Sequence, residues 1–292
     1  MLATRLYIVY RLIRSYLSIV FHTGIAPRFW WYRRQGRHDE IERITARIIR
    51  DWSHHLFESF GCRVEIEGAE LVPLQGPLVV MCNHQSMYDI PLLMGYLGRA
   101  PGFVAKQELF RIPALSYWMR AIGSVSLDRK DPRAGRELFD QLGARIRREG
   151  RCYVLFPEGT RTRDPLGRIG PFRQGAVRLA TEHDIPILPL SIDGTRLLNG
   201  SEALHRSRPG DRVIRVRVAP LMAPVGASSL ARKRLMEDLR EIIVSNWERI
   251  RVDWSPAAQA AADAPRIGAA RDAEVSEALA EPGRAARGQT SP

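Results

Sequence analysis

Between residues 60 and 220 short apolar runs alternate with stretches whose apolar positions recur every three to four residues. Seven runs rich in Val, Ile, Leu and aromatic side chains read as strands. They are CRVEIEG (62–68), GPLVVMC (76–82), GFVA (102–105), IGSVSL (122–127), RCYVLFP (151–157), IPILPLSI (185–192) and RVIRVRVA (212–219). Helical patterns fill two of the intervals and follow the last run. The stretch 131–150 has Pro132 near its start, Leu138, Leu142 and Ile146 at spacing four, and Gly150 as its stop. FRQGAVRLATEHD (172–184) leads as a helix into the sixth strand. The stretch 228–250 opens on serine caps and lines one face with Leu235, Leu239, Ile242 and Ile243, closing the domain as a long helix. Strands alternating with helices define an α/β domain. Pro189 marks the sixth strand as kinked or at a sheet edge, since proline cannot donate a ladder bond. The same run also suits the wall of an apolar tunnel.

The pattern changes at both ends. Leu6–Phe21 is mostly apolar, but Arg11 and Arg14 interrupt it. A spanning helix needs roughly 20 apolar residues, and each Arg at the bilayer centre costs about 2.5–3.5 kcal/mol on insertion scales. A helix lying among the headgroups fits better, with the two Arg on one stripe. A signal peptide fits poorly, because the Arg lie inside the apolar stretch and no small-residue cleavage site follows. RFWWYRR (28–34) then reads as an interfacial anchor of aromatic residues bracketed by Arg. An amphipathic helix packed on the protein's own core is the competing reading. After Ser255 the chain turns rich in Ala, Pro and Gly, and reads as disordered. The expected organisation is a membrane-associated helical region at 1–55, an α/β domain at 56–254 and a disordered tail at 255–292.

Composition sharpens this reading in two ways. The 292-residue chain carries a net charge of +12, and residues 1–50 hold ten Arg against three acidic residues. A basic N-terminus points to phosphate-rich partners, either nucleic acid or anionic headgroups. Cys62, Cys82 and Cys152 are scattered within apolar runs, which indicates buried thiols rather than a disulfide framework. No HExxH, CxxC pair, GxGxxG, P-loop or GxSxG occurs, so no metal site, nucleotide loop or nucleophile elbow is expected.

Four stretches carry candidate chemistry. In NHQSMYDIP (83–91), His84 and Asp89 lie five apart, a spacing that shares no face of a regular helix. The pair works only across a strand-to-helix turn, where Asp89 reaches back to one imidazole nitrogen and leaves the other free to take a proton. Asn83 and Asp89 as plain turn and cap residues account for the same stretch. In FPEGTRTR (156–163), Gly159 and Thr160 allow close approach of a ligand and Arg161 offers a fork for phosphate. Glu158 there either accepts from a hydroxyl or holds Arg161; a turn with a surface ion pair is the alternative. Lys106, in AKQELFRIP (105–113), stands near a strand end, where side chains of α/β sheets often face the ligand crevice. Taken alone, solvated surface charge explains it better. The fourth stretch is the proline-containing strand ILPLSI (187–192).

Taken in order, NHxSxxD after an apolar strand, KxEL, FPEGTR and a proline-containing strand resemble the 1-acylglycerol-3-phosphate acyltransferases among the glycerophospholipid acyltransferases. The similarity runs over about residues 70–195. It implies one acyltransferase domain with a central mixed sheet flanked by helices, and an N-terminal pair of membrane-associated helices. It further implies His84 as a general base, Asp89 as its orienting carboxylate, and Glu158, Gly159, Thr160 and Arg161 around the glycerol phosphate, assisted by Lys106. The implied reaction passes an acyl group from acyl-CoA or acyl carrier protein to lysophosphatidic acid, with no covalent acyl-enzyme, metal or cofactor. Membrane lipids are the expected surroundings, at the cytoplasmic face of the inner or plasma membrane. Thr162 stands where such proteins often carry Ser, and keeps the hydroxyl. Another lyso-lipid acceptor, such as an amino-acid-derived one, would leave the pair unchanged. A hydrolase using Ser86 lacks elbow glycines. A non-catalytic nucleic-acid module would explain the charge but lacks a recognised motif, so nucleic acid is set aside as a partner. The oligomeric state stays open.

Overall fold

A computed structural model describes residues 30–32, 34–127, 132–164, 167–199, 212–225 and 228–251. The interrupted helix at Leu6–Phe21 and the tail from 255 therefore lie outside the described residues. The chain enters through helix α1 (His38–Ser59) and strand β1 (Cys62–Glu67), then β2 (Leu78–Cys82), α2 (Asp89–Tyr96) and β3 (Gly102–Lys106). A 3₁₀ turn (Gln107–Arg111), α3 (Pro113–Ala121), β4 (Val125–Leu127), α4 (Pro132–Glu149) and β5 (Cys152–Leu155) follow. The last part is α5 (Gln174–Glu182), β6 (Ile187–Asp193), a 3₁₀ turn (Thr195–Asn199), β7 (Arg212–Val218) and α6 (Ser229–Ile250). Each of the seven predicted runs holds a strand. The serine expected to open the last helix does so: Ser228 Oγ accepts from Ala231 N–H at 3.1 Å. The short helix α3 was not foreseen; Pro113 starts it and Ala114, Trp118 and Met119 bury one side of it.

The strands form one sheet in the order β1-β7-β6-β2-β5-β3-β4. Only β6 and β7 run antiparallel, so the sheet is mixed, as expected. Strand β2 lies at its centre and is buried along its whole length. Its side chains alternate between two cores. Leu78, Val80 and Cys82 meet Phe57 of α1, Leu92 and Leu93 of α2 and Trp118 of α3. Val79 and Met81 meet Ile146 of α4, Val177 of α5, and Leu239 and Ile243 of α6 on the other face. Helices on both faces explain why β2 reads as a continuous apolar run.

One expected boundary meets a helix that crosses it, and one expected strand position needs correction. Helix α1 passes through position 55 and commits Ile41, Ile49 and Phe57 to the first core. Position 55, where the helical region was expected to end, therefore falls inside a helix that packs on this core. Tyr32 joins the same core, while Trp30 and Trp31 are 57% and 49% exposed. Strand β6 is interior, between β7 and β2, not at an edge. Its Pro189 is tolerated because it falls where pairing with β7 ends. Ala219 N–H still donates to the Pro189 carbonyl at 2.9 Å, and only the returning bond is missing.

Candidate active site

Strand β2 ends at Cys82, and the next residue fixes everything after it. Asn83 donates from its amide to Ile192 O and accepts from Ile192 N–H, both at 2.8 Å. The side chain thus takes the place of a strand neighbour and pins the chain to β6 where it leaves the sheet. The turn that follows delivers Asp89 as the first residue of α2, where a carboxylate also suits the helix N-terminus.

Asp89 is fully buried and reaches back into the turn. Its Oδ2 accepts from Gln85 N–H at 2.7 Å and Ser86 N–H at 2.8 Å, and lies 2.7 Å from His84 Nδ1. The Thr195 hydroxyl, from the turn after β6, donates to Oδ1. A carboxylate only accepts, so four convergent donors fix its plane and place the imidazole proton on Nδ1. The other ring nitrogen, Nε2, makes no hydrogen bond among the described residues. The ring retains 15% exposure and stacks on Phe156, with centroids 3.8 Å apart. The arrangement can take a proton from a hydroxyl at Nε2 and stabilise the resulting imidazolium through Asp89.

The FPEGTR stretch leaves β5, which neighbours β2 in the sheet, and clamps the same histidine. Glu158 Oε1 accepts from His84 N–H at 2.8 Å, and Thr162 N–H donates to His84 O at 2.8 Å. Glu158 Oε2 accepts from Gly170 N–H at 2.8 Å, so this carboxylate ties three segments together and does not hold Arg161. Burial pushes the Glu158 carboxyl up, against the two backbone N–H bonds and His84, which pull it down. Burial, then the charges of Asp89 and Glu158, push the Cys82 thiol well up, leaving it an inert neutral group beneath the turn.

Gly159 has φ +68°, and a Cβ there would lie 2.9 Å from Arg173 Nε. Glycine at this point lets the turn close, with Gly159 N–H bonded to Phe156 O at 2.9 Å. Thr160 and Arg161 are exposed beyond it. Arg161, Arg163 and Arg173 form no ion pair among the described residues, whereas Arg145, Arg215 and Arg217 are matched to Glu149, Glu65 and Glu67. Lys106 ends β3, beyond β5. Register pairs Phe103 with Val154 and Met81 with Leu155. Continuing that count puts Lys106 level with Pro157 and Asn83, about 10 Å from the line of β2 at the usual strand spacing.

Ser86 is buried, and its hydroxyl donates to Asn199 Oδ1 at 3.0 Å while capping Tyr88 N–H. It makes no hydrogen bond to His84, so the nucleophile reading has no geometry behind it. Several residues at the site were not foreseen: Gln85, Arg173, Asp193 and Thr195. The signal for the last two was the DGT run after the sixth strand, where a glycine turns the chain back toward the sheet end.

The turn, the clamp and the sheet end that carries them lie within residues 63–193, which match the family model described as Acyltransferase. Over that span, less than half of the chain, the sequence is similar to this family. It is 35% identical over 145 residues to the chloroplastic 1-acyl-sn-glycerol-3-phosphate acyltransferase BAT2 of Brassica napus, across 49% of this chain and 41% of that protein. Against the 1-acyl-sn-glycerol-3-phosphate acyltransferase of Pseudomonas aeruginosa it is 30% identical over 131 residues, 45% of this chain and 49% of the other. The chain thus spans about half the length of these curated relatives. The crystal structure of the 1-acyl-sn-glycerophosphate (LPA) acyltransferase PlsC from Thermotoga maritima superimposes with a TM-score of 0.61 at 27% identity. That match covers 84% of this chain and 99% of the other.

Proposed function

We propose that this protein transfers a fatty acyl group from a thioester, acyl-CoA or acyl carrier protein, to the free hydroxyl of 1-acyl-glycerol-3-phosphate, giving phosphatidic acid. His84 Nε2 takes the hydroxyl proton as the oxygen attacks the thioester carbonyl. The carbon–sulfur bond then breaks, and the thiolate leaves with the proton that His84 gives up. Asp89 keeps the imidazole in the required tautomer and offsets the charge it gains. General-base assistance of this kind contributes about 10²–10⁴-fold. Arg161 grips the acceptor phosphate, Gly159 and Thr160 let it come close to the backbone, and Lys106 adds positive charge from the next strand end but one. Glu158 positions the loop through His84 and Gly170. No metal or cofactor takes part.

The observation that carries this reading is the His84–Asp89 pair with Nε2 left unengaged, clamped to a loop in which Arg161 and Arg163 have no acidic partner among the described residues. The names of the relatives supply the acceptor. A membrane setting at the cytoplasmic face agrees with amphiphilic substrates. Exposed Trp30 and Trp31, and Met87 at 48% exposure inside the catalytic turn, favour it too. The association proposed is interfacial, on the Arg-interrupted apolar stretch Leu6–Phe21; no helix among the described residues is long and apolar enough to cross a membrane. The test is a panel of lyso-lipid acceptors, with and without phosphate, offered with labelled acyl-CoA or acyl carrier protein and read by product mass. Phosphatidic acid as the main product supports the assignment; exclusive acylation of an unphosphorylated acceptor overturns it.

A further inference from the structure

The carboxylate that steers His84 has two oxygens, and the fold treats them differently. Oδ2 faces the turn and takes His84 Nδ1–H and two backbone N–H groups. Oδ1 has the Thr195 hydroxyl as its partner. Thr195 is fully buried and comes from a segment 106 residues away in sequence. Its delivery is specific. Gly194 has φ +99°, and a Cβ there would lie 2.8 Å from Val213 O, so the chain can pass against β7 and turn inward only with glycine at this position.

The same segment holds the turn a second time. Asp193, also buried, accepts from the Gln85 side-chain amide at 2.7 Å and from Trp247 Nε1 of α6 at 2.9 Å. The stretch 193–195 thus braces both the first residue after His84 and the carboxylate behind it, with α6 as the backstop.

We propose that Thr195 is a positioning residue of the acyl transfer: its hydroxyl locks the rotation of the Asp89 carboxylate so that Oδ2 stays aimed at His84 Nδ1. The inference rests on the dyad reading given above. Without the hydroxyl, Oδ1 is a buried acceptor without its donor. The carboxylate then gains by rotating or drawing in water, and His84 loses its fixed tautomer. Small displacements of a catalytic group of this kind cost up to about 10²-fold in rate.

The test compares Thr195→Val, which keeps shape and removes the hydroxyl, with Thr195→Ser, which restores it. Acyl transfer from acyl-CoA to lysophosphatidic acid is measured for the full chain, together with the tautomer of His84 by nitrogen-15 NMR. Thr195→Val should lower kcat about 10–100-fold with both KM values within about twofold, and should mix the tautomers. Thr195→Ser should return most of the rate and the single Nδ1–H tautomer. If the valine variant does not fold, Thr195→Ala is judged by the same two readouts. A wild-type kcat with one tautomer in the hydroxyl-free variant overturns the proposal, and so does a serine variant as slow as valine. His84→Ala, run alongside, separates the two levels. If it remains active, the dyad reading falls and this inference with it. If it is inactive while Thr195→Val runs at the wild-type rate, only the inference falls.

Discussion

Replacing Asp89 with Asn separates charge from geometry at this site. An Asn oxygen in the Oδ2 position keeps the three bonds from His84 Nδ1, Gln85 N–H and Ser86 N–H. Its NH₂ then faces Thr195 Oγ1, and a hydroxyl can accept as readily as donate. The imidazole keeps its proton on Nδ1, while the Thr195 hydroxyl proton and the second amide N–H lose the acceptor that the carboxylate supplied, a cost to stability of roughly 1–3 kcal/mol. What disappears is the negative charge beside the imidazolium that forms as Nε2 takes the acceptor proton. Unit charges about 4 Å apart, at an effective dielectric constant near 20, attract by about 4 kcal/mol. If half of the proton's charge has arrived at the transition state, about 2 kcal/mol of that is lost, a roughly 30-fold fall in kcat. Complete transfer gives about 10³-fold. The expected range for Asp89→Asn is thus about 30- to 1,000-fold in kcat, with little change in KM. Initial rates at saturating acyl-CoA and lysophosphatidic acid, quantified by product mass, measure it, and thermal unfolding checks the fold. A rate within twofold of wild type would show that the charge is not used. A folded variant slower by more than about 10⁴-fold would refute the claim that Thr195 can turn to accommodate the amide.

Two further substitutions probe the clamp and the phosphate grip. Glu158→Gln replaces one of two acceptors by a donor facing a backbone N–H, of His84 or Gly170, and should destabilise by roughly 1–3 kcal/mol. Because burial raises the Glu158 carboxyl, its contribution to stability is fully present in acid and is lost as pH rises through the folded-state pKa. The gap in Tm between wild type and Glu158→Gln should therefore narrow from about pH 4 to pH 7; a widening gap would contradict this. Arg161→Ala should raise KM for the phosphorylated acceptor about 10-fold or more at nearly constant kcat, as expected for a charge-assisted contact of about 1.5–3 kcal/mol. An equal rise in KM for an acceptor without phosphate would remove the phosphate role.

What the sequence disclosed follows the range of the contacts. Strand β2 was legible because burial on both faces leaves a continuous apolar run, and α4 because Leu142 and Ile146 mark its buried side. The His84–Asp89 pairing was legible because five residues of spacing admit only one kind of turn. The bracing of that turn was not. Thr195 meets Asp89 across 106 residues and Asp193 meets Gln85 across 108, and no local pattern encodes which strands become neighbours. Pro189 misled for a related reason: whether a missing donor falls at a ladder's end depends on where β7 stops, which β6 does not record. Glu158 stands out in the sequence, yet its partners are backbone N–H groups of two other segments, and a side chain's choice between Arg161 and those groups is settled only by packing.

His84→Ala tests the central claim most directly. The side chain lies at the mouth of the site, with its ring 15% exposed and stacked on Phe156, so its removal should leave the fold intact. The measurement is the rate of phosphatidic acid formation from acyl-CoA and lysophosphatidic acid by the purified full chain, set beside the wild type. Loss of about 10²–10⁴-fold in kcat with an unchanged unfolding profile is the predicted result. Acyl transfer at the wild-type rate would contradict the account.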